Sequence, residues 1–279
     1  MPVEQNEKSI TLKHPSVSAR LEVEELTVNG QEHIFLSKKA HLDGSAAIRG
    51  GIPIVFPIFG PPPSSPPEYA ALKQHGYARN QTWKLDKVVL DNADGVSVRL
   101  VAPSPPASFP HPVGLTYVVT LAAHQLVSDL HVQNNGADDF KFQALLHTYL
   151  RVEDASKIEI TGIEAGTVYK DKTLGGKEEE TPLGPLLVDR ELDRVYQKVP
   201  SQEIRVDDIN SDGGSVKVRF RGFQDATIWN PGQATGSKMG DMEDGGWDHF
   251  VCIEPGFVSD WKSIKPGEQF IGQQVLTLG

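Results

Sequence analysis

Two residues combine proton-transfer chemistry with unusual sequence surroundings. Glu254 ends the apolar run Val251-Cys252-Ile253 and is followed at once by Pro255-Gly256. His147 lies within a long alternating run from Phe140 to Arg151. Carboxylates and imidazoles often act as general bases and general acids. Both positions are therefore candidates for acid–base catalysis.

Each candidate also has a structural interpretation. A histidine on a strand is commonly a hydrogen-bonded structural residue, and a glutamate before Pro-Gly could simply cap the turn. His75 competes with His147 for the role of acid. The residues alone leave these alternatives open.

Three further segments place polar side chains beside glycine, proline or aromatic residues: Arg49-Gly50-Gly51-Ile52-Pro53, Gln74-His75-Gly76-Tyr77-Ala78-Arg79 and Asp193-Arg194-Val195-Tyr196. Glycine permits close ligand approach, and aromatic faces can stack on a sugar ring. We expect these segments to converge with His147 and Glu254 on one concave sheet face. As alternatives, Arg49 and Arg79 are surface ion-pair partners, and Asp193 pairs with Arg190 or Arg194.

The motifs of several other chemistries are missing. The sequence has no Gly-x-Ser-x-Gly, no Gly-x-x-x-x-Gly-Lys-Ser/Thr and no His-Glu-x-x-His. Its one cysteine, Cys252, excludes an intramolecular disulfide and a multi-cysteine zinc site. The acidic segment from Asp241 lacks the ligand spacing of a calcium loop. We therefore expect no metal ion and no cofactor.

The composition constrains location and partners. The 279 residues carry a net charge of −10, which opposes binding to nucleic acid. The N-terminus lacks the basic and apolar regions of a signal peptide, and no apolar run is long enough to cross a membrane. We expect a cytoplasmic monomer whose partner is a small molecule.

Alternation of apolar and polar residues with period two dominates the chain and predicts strands. The runs are 19–28, 82–90, 96–101, 126–133, 140–151, 215–221 and 269–278. One short helix is predicted over Pro66 to Lys73, and the proline-rich segments 61–67 and 103–112 and the glycine-rich segment 240–246 are predicted surface loops. These elements predict an all-β fold, a large antiparallel β-sandwich with minimal helix.

Two details of register follow. Asn29-Gly30 and Asn135-Gly136 are typical of tight hairpin turns, so 126–133 and 140–151 are predicted to be consecutive antiparallel strands. Within 140–151, alternation assigns Phe142, Ala144 and Leu146 to the core, and His147 to the opposite, more polar face.

Taken together, the segments resemble the aldose 1-epimerase-like family, in particular its branch of glucose-6-phosphate 1-epimerases. The matching stretches, in the expected order, are Arg49-Gly-Gly-Ile-Pro53, Gln74-His-Gly-Tyr-Ala-Arg79-Asn-Gln-Thr-Trp83, His147-Thr-Tyr149, Asp193-Arg-Val-Tyr196, Trp229-Asn-Pro-Gly232 and Cys252-Ile-Glu-Pro-Gly256.

This resemblance implies one galactose mutarotase-like domain over residues 1–279, whose concave sheet binds the sugar. It implies His147 as acid and Glu254 as base, poised as imidazolium and carboxylate near neutral pH. It also implies substrate-binding roles for Arg49, Gln74, Arg79 and Asp193, with His75 lining the pocket. The reaction implied is anomer exchange of a hexose 6-phosphate, with the arginines suited to phosphate. A noncatalytic carbohydrate- or sugar-phosphate-binding protein on the same sandwich is the alternative.

Overall fold

The computed structural model describes residues 3–6, 9–14, 17–21, 25–28 and 31–279. An N-terminal antiparallel sheet runs in chain order through β1 (Val3–Gln5), β2 (Ile10–His14), β3 (Val17–Arg20), β4 (Glu25–Val28) and β5 (Gln31–Glu32). The predicted single strand 19–28 is wrong in part, because β3 and β4 pair with each other. Asn29-Gly30 lies outside the described residues.

The remaining strands form two larger antiparallel sheets. They are β6 (Ile54–Val55), β7 (Lys84–Asn92), β8 (Gly95–Val101), β9 (Val113–Ala122), β10 (Gln125–Asn134), β11 (Phe140–Leu146), β12 (Thr148–Arg151), β13 (Glu159–Thr161), β14 (Val168–Asp171), β15 (Lys177–Glu180), β16 (Leu186–Leu187), β17 (Leu192–Tyr196), β18 (Glu203–Asn210), β19 (Gly213–Arg221), β20 (Asp225–Asn230), β21 (Phe250–Ile264) and β22 (Gln269–Leu278).

The nine-stranded sheet has the order β16-β13-β18-β19-β22-β10-β9-β8-β7. The eight-stranded sheet has the order β15-β14-β17-β20-β21-β11-β6, with β12 also paired to β21. The predicted hairpin at Asn135-Gly136 is therefore wrong, because β10 and β11 belong to different sheets. Asn135 donates its backbone N–H to Pro112, so the segment turns the chain from one sheet to the other.

Helical structure is confined to short pieces. The described residues contain one five-residue α-helix, α1 (Gly232–Gly236), and five 3₁₀ turns, at Pro67–Tyr69, Ala78–Asn80, Ala155–Lys157, Lys172–Leu174 and Gly246–His249. The predicted helix at Pro66–Lys73 is thus a single 3₁₀ turn. No helix in the described part of the chain is long and apolar enough to cross a membrane.

One continuous core joins the two large sheets. Phe142, Ala144 and Leu146 from the eight-stranded sheet belong to the same buried cluster as Leu130 and Val132 from the nine-stranded sheet. This confirms the face assigned to the core by alternation in 140–151. The fold is the predicted all-β antiparallel sandwich, and the opposite face of the eight-stranded sheet is left to carry polar groups.

Candidate active site

The floor of the candidate site is a cross-strand row on the eight-stranded sheet. The register pairs Asp193 with Trp229, Trp229 with Cys252, and Cys252 with Tyr149. Directly opposed residues of antiparallel strands point to the same face. Two residues after Cys252, Glu254 lies opposite Thr227 on the same face. Ile253, between Cys252 and Glu254 in the chain, points into the core.

His147 lies where β11 and β12 are interrupted. Its backbone N–H donates to Pro53 at 3.0 Å, outside the ladder formed with β21. The imidazole stacks on Tyr149, with ring centroids 4.8 Å apart and planes inclined by 15°. The predicted polar face is correct for His147, although the strand is broken at that residue.

The two proton-transfer candidates meet. His147 Nε2 lies 3.3 Å from Glu254 Oε1, and both side chains are buried. Within the described residues, neither Glu254 Oε1 nor His147 Nδ1 forms a hydrogen bond. Buried polar atoms are normally paired, so two unpaired atoms on neighbouring buried side chains indicate a site that completes its hydrogen bonds with a ligand.

Burial favours the neutral form of both groups. It raises the pKa of the Glu254 carboxyl well above its usual range, against the opposing effect of Lys172 and Arg79. It lowers the pKa of His147 well below its usual range, and His75, Arg79 and Arg49 lower it further. Both shifts therefore oppose the expected carboxylate and imidazolium and act in favour of a carboxylic acid beside a neutral imidazole. Both arrangements nevertheless hold one proton in total, so they differ by a proton transfer.

His75 lies next to the pair in a different role. Its ring is edge-on to that of His147, with centroids 6.0 Å apart, and its Nδ1 accepts the backbone N–H of Gly60 at 3.2 Å. Burial, together with the cations Arg79, Lys172 and Arg49, lowers the pKa of His75 to about 3. Because the pKa of His147 is lowered as well, the geometry and not the pKa separates the two histidines. His147 Nε2 faces Glu254, whereas His75 uses its Nδ1 to accept from Gly60.

Arg49 and Arg79 reach the site with different partners. Arg49 donates to Asp241 at 3.2 Å and to the Tyr149 hydroxyl at 3.1 Å. Arg79 donates to the backbone carbonyl of Gln74 at 3.0 Å, and it makes no ion pair with a carboxylate in the described residues. Gln74 itself has an exposed side chain. The structure therefore shows Gln74 orienting Arg79 through its backbone.

Glycine is required in the two loops that bring these arginines in. A Cβ on Gly76, at φ +76°, would lie 2.0 Å from the Phe56 carbonyl oxygen. A Cβ on Gly50, at φ +135°, would lie 2.5 Å from the Phe35 carbonyl oxygen. Backbone contacts this close exclude any larger residue.

Asp193 pairs with a residue that the sequence analysis missed. Lys172 Nζ lies 3.2 Å from Asp193 Oδ1, while Arg190 and Arg194 both pair with Asp171. The alternative partners proposed for Asp193 are therefore wrong. Lys172 follows β14, a strand that the alternation did not predict, so no sequence signal marked it. The sequence analysis assigned Asp241, the partner of Arg49, to a glycine-rich loop and gave it no role in the site.

His147, Cys252 and Glu254 are the one group of three possible metal ligands found in the described chain, with ligand atoms all within 4.8 Å. Zinc accepts these three donor types. However, Cys252 packs against aromatic residues such as Phe250, and burial raises its thiol pKa well above the usual range. That environment opposes the thiolate that a metal requires.

A buried carboxyl group and imidazole in contact on one sheet face, beside the aromatic rings of Tyr149 and Trp229, are suited to proton transfer on a carbohydrate. Residues 9–277 match the family described as aldose 1-epimerase, and the chain belongs to that family. It is therefore an epimerase of the mutarotase type.

Individual relatives agree with this assignment. The chain is 32% identical over 260 residues to a "putative glucose-6-phosphate 1-epimerase" of Cenchrus ciliaris, covering 89% of this chain and 76% of the relative. It is 30% identical to an Escherichia coli K12 protein of the same name, covering 91% and 85%. A crystal structure of a "putative mutarotase" from Salmonella typhimurium superposes with a TM-score of 0.85 at 26% identity, covering 99% of this chain and 92% of that one.

Proposed function

We propose that the protein interconverts the α and β anomers of glucose 6-phosphate, with Glu254 as general base and His147 as general acid. The observation that carries this proposal is the 3.3 Å contact between the buried His147 Nε2 and Glu254 Oε1. A protein that only bound sugars would gain nothing from burying two unpaired proton-transfer groups side by side.

Ring opening needs two proton transfers. Glu254 removes the proton of the C1 hydroxyl, and His147 donates a proton to the ring oxygen, so the C1–O5 bond breaks and an aldehyde forms. Rotation about C1–C2 then exposes the other carbonyl face. The ring closes as the C5 hydroxyl returns its proton to His147 and Glu254 reprotonates the carbonyl oxygen.

The buried pair is suited to this cycle because its proton count never changes. The closed sugar reacts with carboxylate and imidazolium, and the open aldehyde is held by carboxylic acid and neutral imidazole. Burial favours the second arrangement, while Lys172 favours the carboxylate of the first. Arg79 favours that carboxylate too but opposes the imidazolium, so its two effects offset each other. These opposing effects bring the two arrangements closer in free energy, as reversible catalysis requires.

The phosphate is assigned by charge and by the names of the relatives. Of the two site arginines, Arg49 is already neutralised by Asp241, whereas Arg79 has no carboxylate partner within the described chain. A guanidinium offers several donors to phosphate oxygens and stays charged. We assign phosphate recognition mainly to Arg79, with Arg49, Gln74, Asp193 and His75 lining the sugar site.

The test follows anomer exchange of glucose 6-phosphate by magnetisation-transfer NMR. Glu254→Gln and His147→Asn should each lower kcat/KM by about 10² to 10⁴, the usual contribution of one general acid or base. The exposed residues Glu164 and His124 provide matched controls, and Glu164→Gln and His124→Asn should leave the rate unchanged. Ligand binding without faster exchange than buffer would support the binding-protein alternative instead.

A second arm tests the phosphate. Arg79→Gln should lower the ratio of kcat/KM for glucose 6-phosphate over glucose by about 10- to 100-fold, since hydrogen bonds to charged groups contribute about 1.5–3 kcal/mol. An equal loss for both sugars would contradict phosphate recognition by Arg79 and leave the acid–base assignment intact.

A further inference from the structure

The strand pair β14–β17 carries one ion pair on each face. On the core face, Arg194 Nε lies 3.2 Å from Asp171 Oδ2, and both side chains are buried. On the face of the active site, Lys172 Nζ lies 3.2 Å from Asp193 Oδ1. Asp171 and Arg194 are directly opposed in the register, and Lys172 and Asp193 are their chain neighbours. The buried pair therefore fixes the two backbone segments that carry the outer pair.

Asp171 also fixes the turn that begins at Lys172. One oxygen of Asp171 accepts the backbone N–H of Thr173 at 3.0 Å and so caps the 3₁₀ turn Lys172–Leu174. The Lys172 ammonium in turn lies 4.0 Å from the centroid of the Phe59 ring. Contact with an aromatic face attracts a cation and restricts its position. The side chain of Lys172 thus contacts Asp193 and Phe59, and its backbone begins a capped turn, although the side chain is 39% exposed.

We propose that Lys172 is a positioning residue of this active site, which holds Asp193 for contact with a sugar hydroxyl and supplies a positive charge on the face that carries Glu254. The inference rests on the proposed role of Glu254 as base. Lys172 needs no contact with the reacting atoms for this purpose.

The charges around Glu254 support the second part. The titratable and charged groups that act on it come from several elements: His147, Tyr149, Cys252, Arg79, Lys172 and Asp193. Among these, Lys172 opposes the burial-raised pKa of Glu254 more than Arg79 does, and Asp193 raises that pKa. Loss of Lys172 would remove one favourable charge and also leave Asp193 uncompensated. Both changes raise the pKa of Glu254.

The experiment compares Lys172→Met with Lys172→Arg in the full chain. Methionine retains the unbranched side chain without its charge, whereas arginine retains the charge. Because the favoured form of the pair carries its one proton on Glu254, the basic limb of kcat/KM follows the ionisation of Glu254. Lys172→Met should therefore move this basic limb upward by at least about half a pH unit and lower the plateau, since the carboxylate–imidazolium form becomes rarer. We expect kcat/KM at pH 7 to fall about threefold for a shift of half a unit and about tenfold for a shift of one unit, because each pH unit corresponds to a factor of ten. Lys172→Arg retains the charge and should return the pH profile of kcat/KM to that of the wild type.

Lys170→Met is the matched control, because Lys170 lies on β14, two residues before Lys172, and pairs with Glu178 at 3.5 Å. It should leave the pH profile unchanged. An unshifted limb in Lys172→Met, or a folded Lys172→Arg variant that behaves like Lys172→Met, would overturn the proposal.

A measurement without turnover separates this inference from the proposed function. The carboxyl carbon of Glu254, assigned with the Glu254→Gln variant, is titrated by ¹³C NMR in the free protein. Lys172→Met should raise its midpoint whether or not the protein catalyses exchange. A raised midpoint in a protein that catalyses no exchange contradicts the proposed function alone. Normal wild-type exchange with an unmoved midpoint contradicts the role of Lys172 alone.

Discussion

The two large sheets differ in where they are irregular. In the nine-stranded sheet the register shifts lie in the outer pairs β7–β8 and β18–β19, whereas the central strands β9 and β10 pair over ten consecutive positions without a shift. In the eight-stranded sheet, β11 shifts register against the central strand β21 between Phe142 and Ala144, and His147 interrupts the strand before β12 begins. The regular centre of the nine-stranded sheet contributes a core face, whereas the irregular strands of the eight-stranded sheet position reactive side chains.

The sheets also differ in what they bury. Along β9, buried residues alternate with half-buried ones, as expected when one face is solvated. Along β21, every residue from Phe250 to Gly256 is buried, so the face that carries Glu254 is covered as well. A face that buries unpaired polar atoms costs stability, and the shared core offsets that cost. We therefore expect core substitutions in the nine-stranded sheet to change mainly stability, and substitutions on the active-site face of the eight-stranded sheet to change mainly activity.

The largest stability effect should come from the regular centre of the nine-stranded sheet. Leu130 on β10 is fully buried in the shared core. Leu130→Ala should lower the free energy of unfolding by about 2–5 kcal/mol, because it removes buried methyl groups and leaves a cavity. Denaturant unfolding measures the loss. At a temperature where the variant is folded, kcat/KM should change less than twofold, and a tenfold fall would mean that the two sheets are not separable.

A smaller effect of opposite sign, a gain in stability, is expected from a substitution at Glu254 in the eight-stranded sheet. Burial raises the pKa of Glu254 in the folded state above the ordinary 4.5, so the stability associated with its neutral form is full below that pH and is lost as pH rises through the folded pKa. Glutamine cannot ionise. Glu254→Gln should therefore gain about 1–3 kcal/mol at pH 8 and nearly nothing at pH 4.5.

Thermal unfolding at the two pH values checks this sign. The exposed Glu164→Gln variant supplies the baseline for loss of a carboxylate, since Glu164 lies on the surface. If Glu254→Gln were less stable than wild type at pH 8, the carboxylate would be stabilising the fold, and the contrast between the sheets would fail at its central residue.

The smallest effect should come from the outer edge of the nine-stranded sheet, where β7 shifts register against β8 between Val88 and Leu90. Val89 on β7 is 51% exposed, and β7 is the terminal strand of its sheet. Val89→Thr keeps the β-branched shape and should change the free energy of unfolding by less than about 0.5 kcal/mol. A larger loss in chemical denaturation would show that this edge packs against another surface in solution.

Strand positions were largely predictable because alternation is local. The runs 96–101, 126–133 and 269–278 correspond to β8, β10 and β22 within one or two residues at most ends. The hairpin at Asn135-Gly136 was not predictable, because a turn-forming pair fixes the local backbone and not which sheet receives the next strand. Strand β14 escaped prediction, and with it Lys172.

The sequence by itself determined the core face of 140–151, and the polar face of His147, because side chains alternate strictly along a strand. Its ordered motifs also indicated the family. Only the tertiary structure decided that Asp193 pairs with Lys172, that Asp241 neutralises Arg49, and that Glu254 and His147 lie in contact while buried. Those contacts join residues distant along the chain, and the pKa of a buried group depends on everything packed around it.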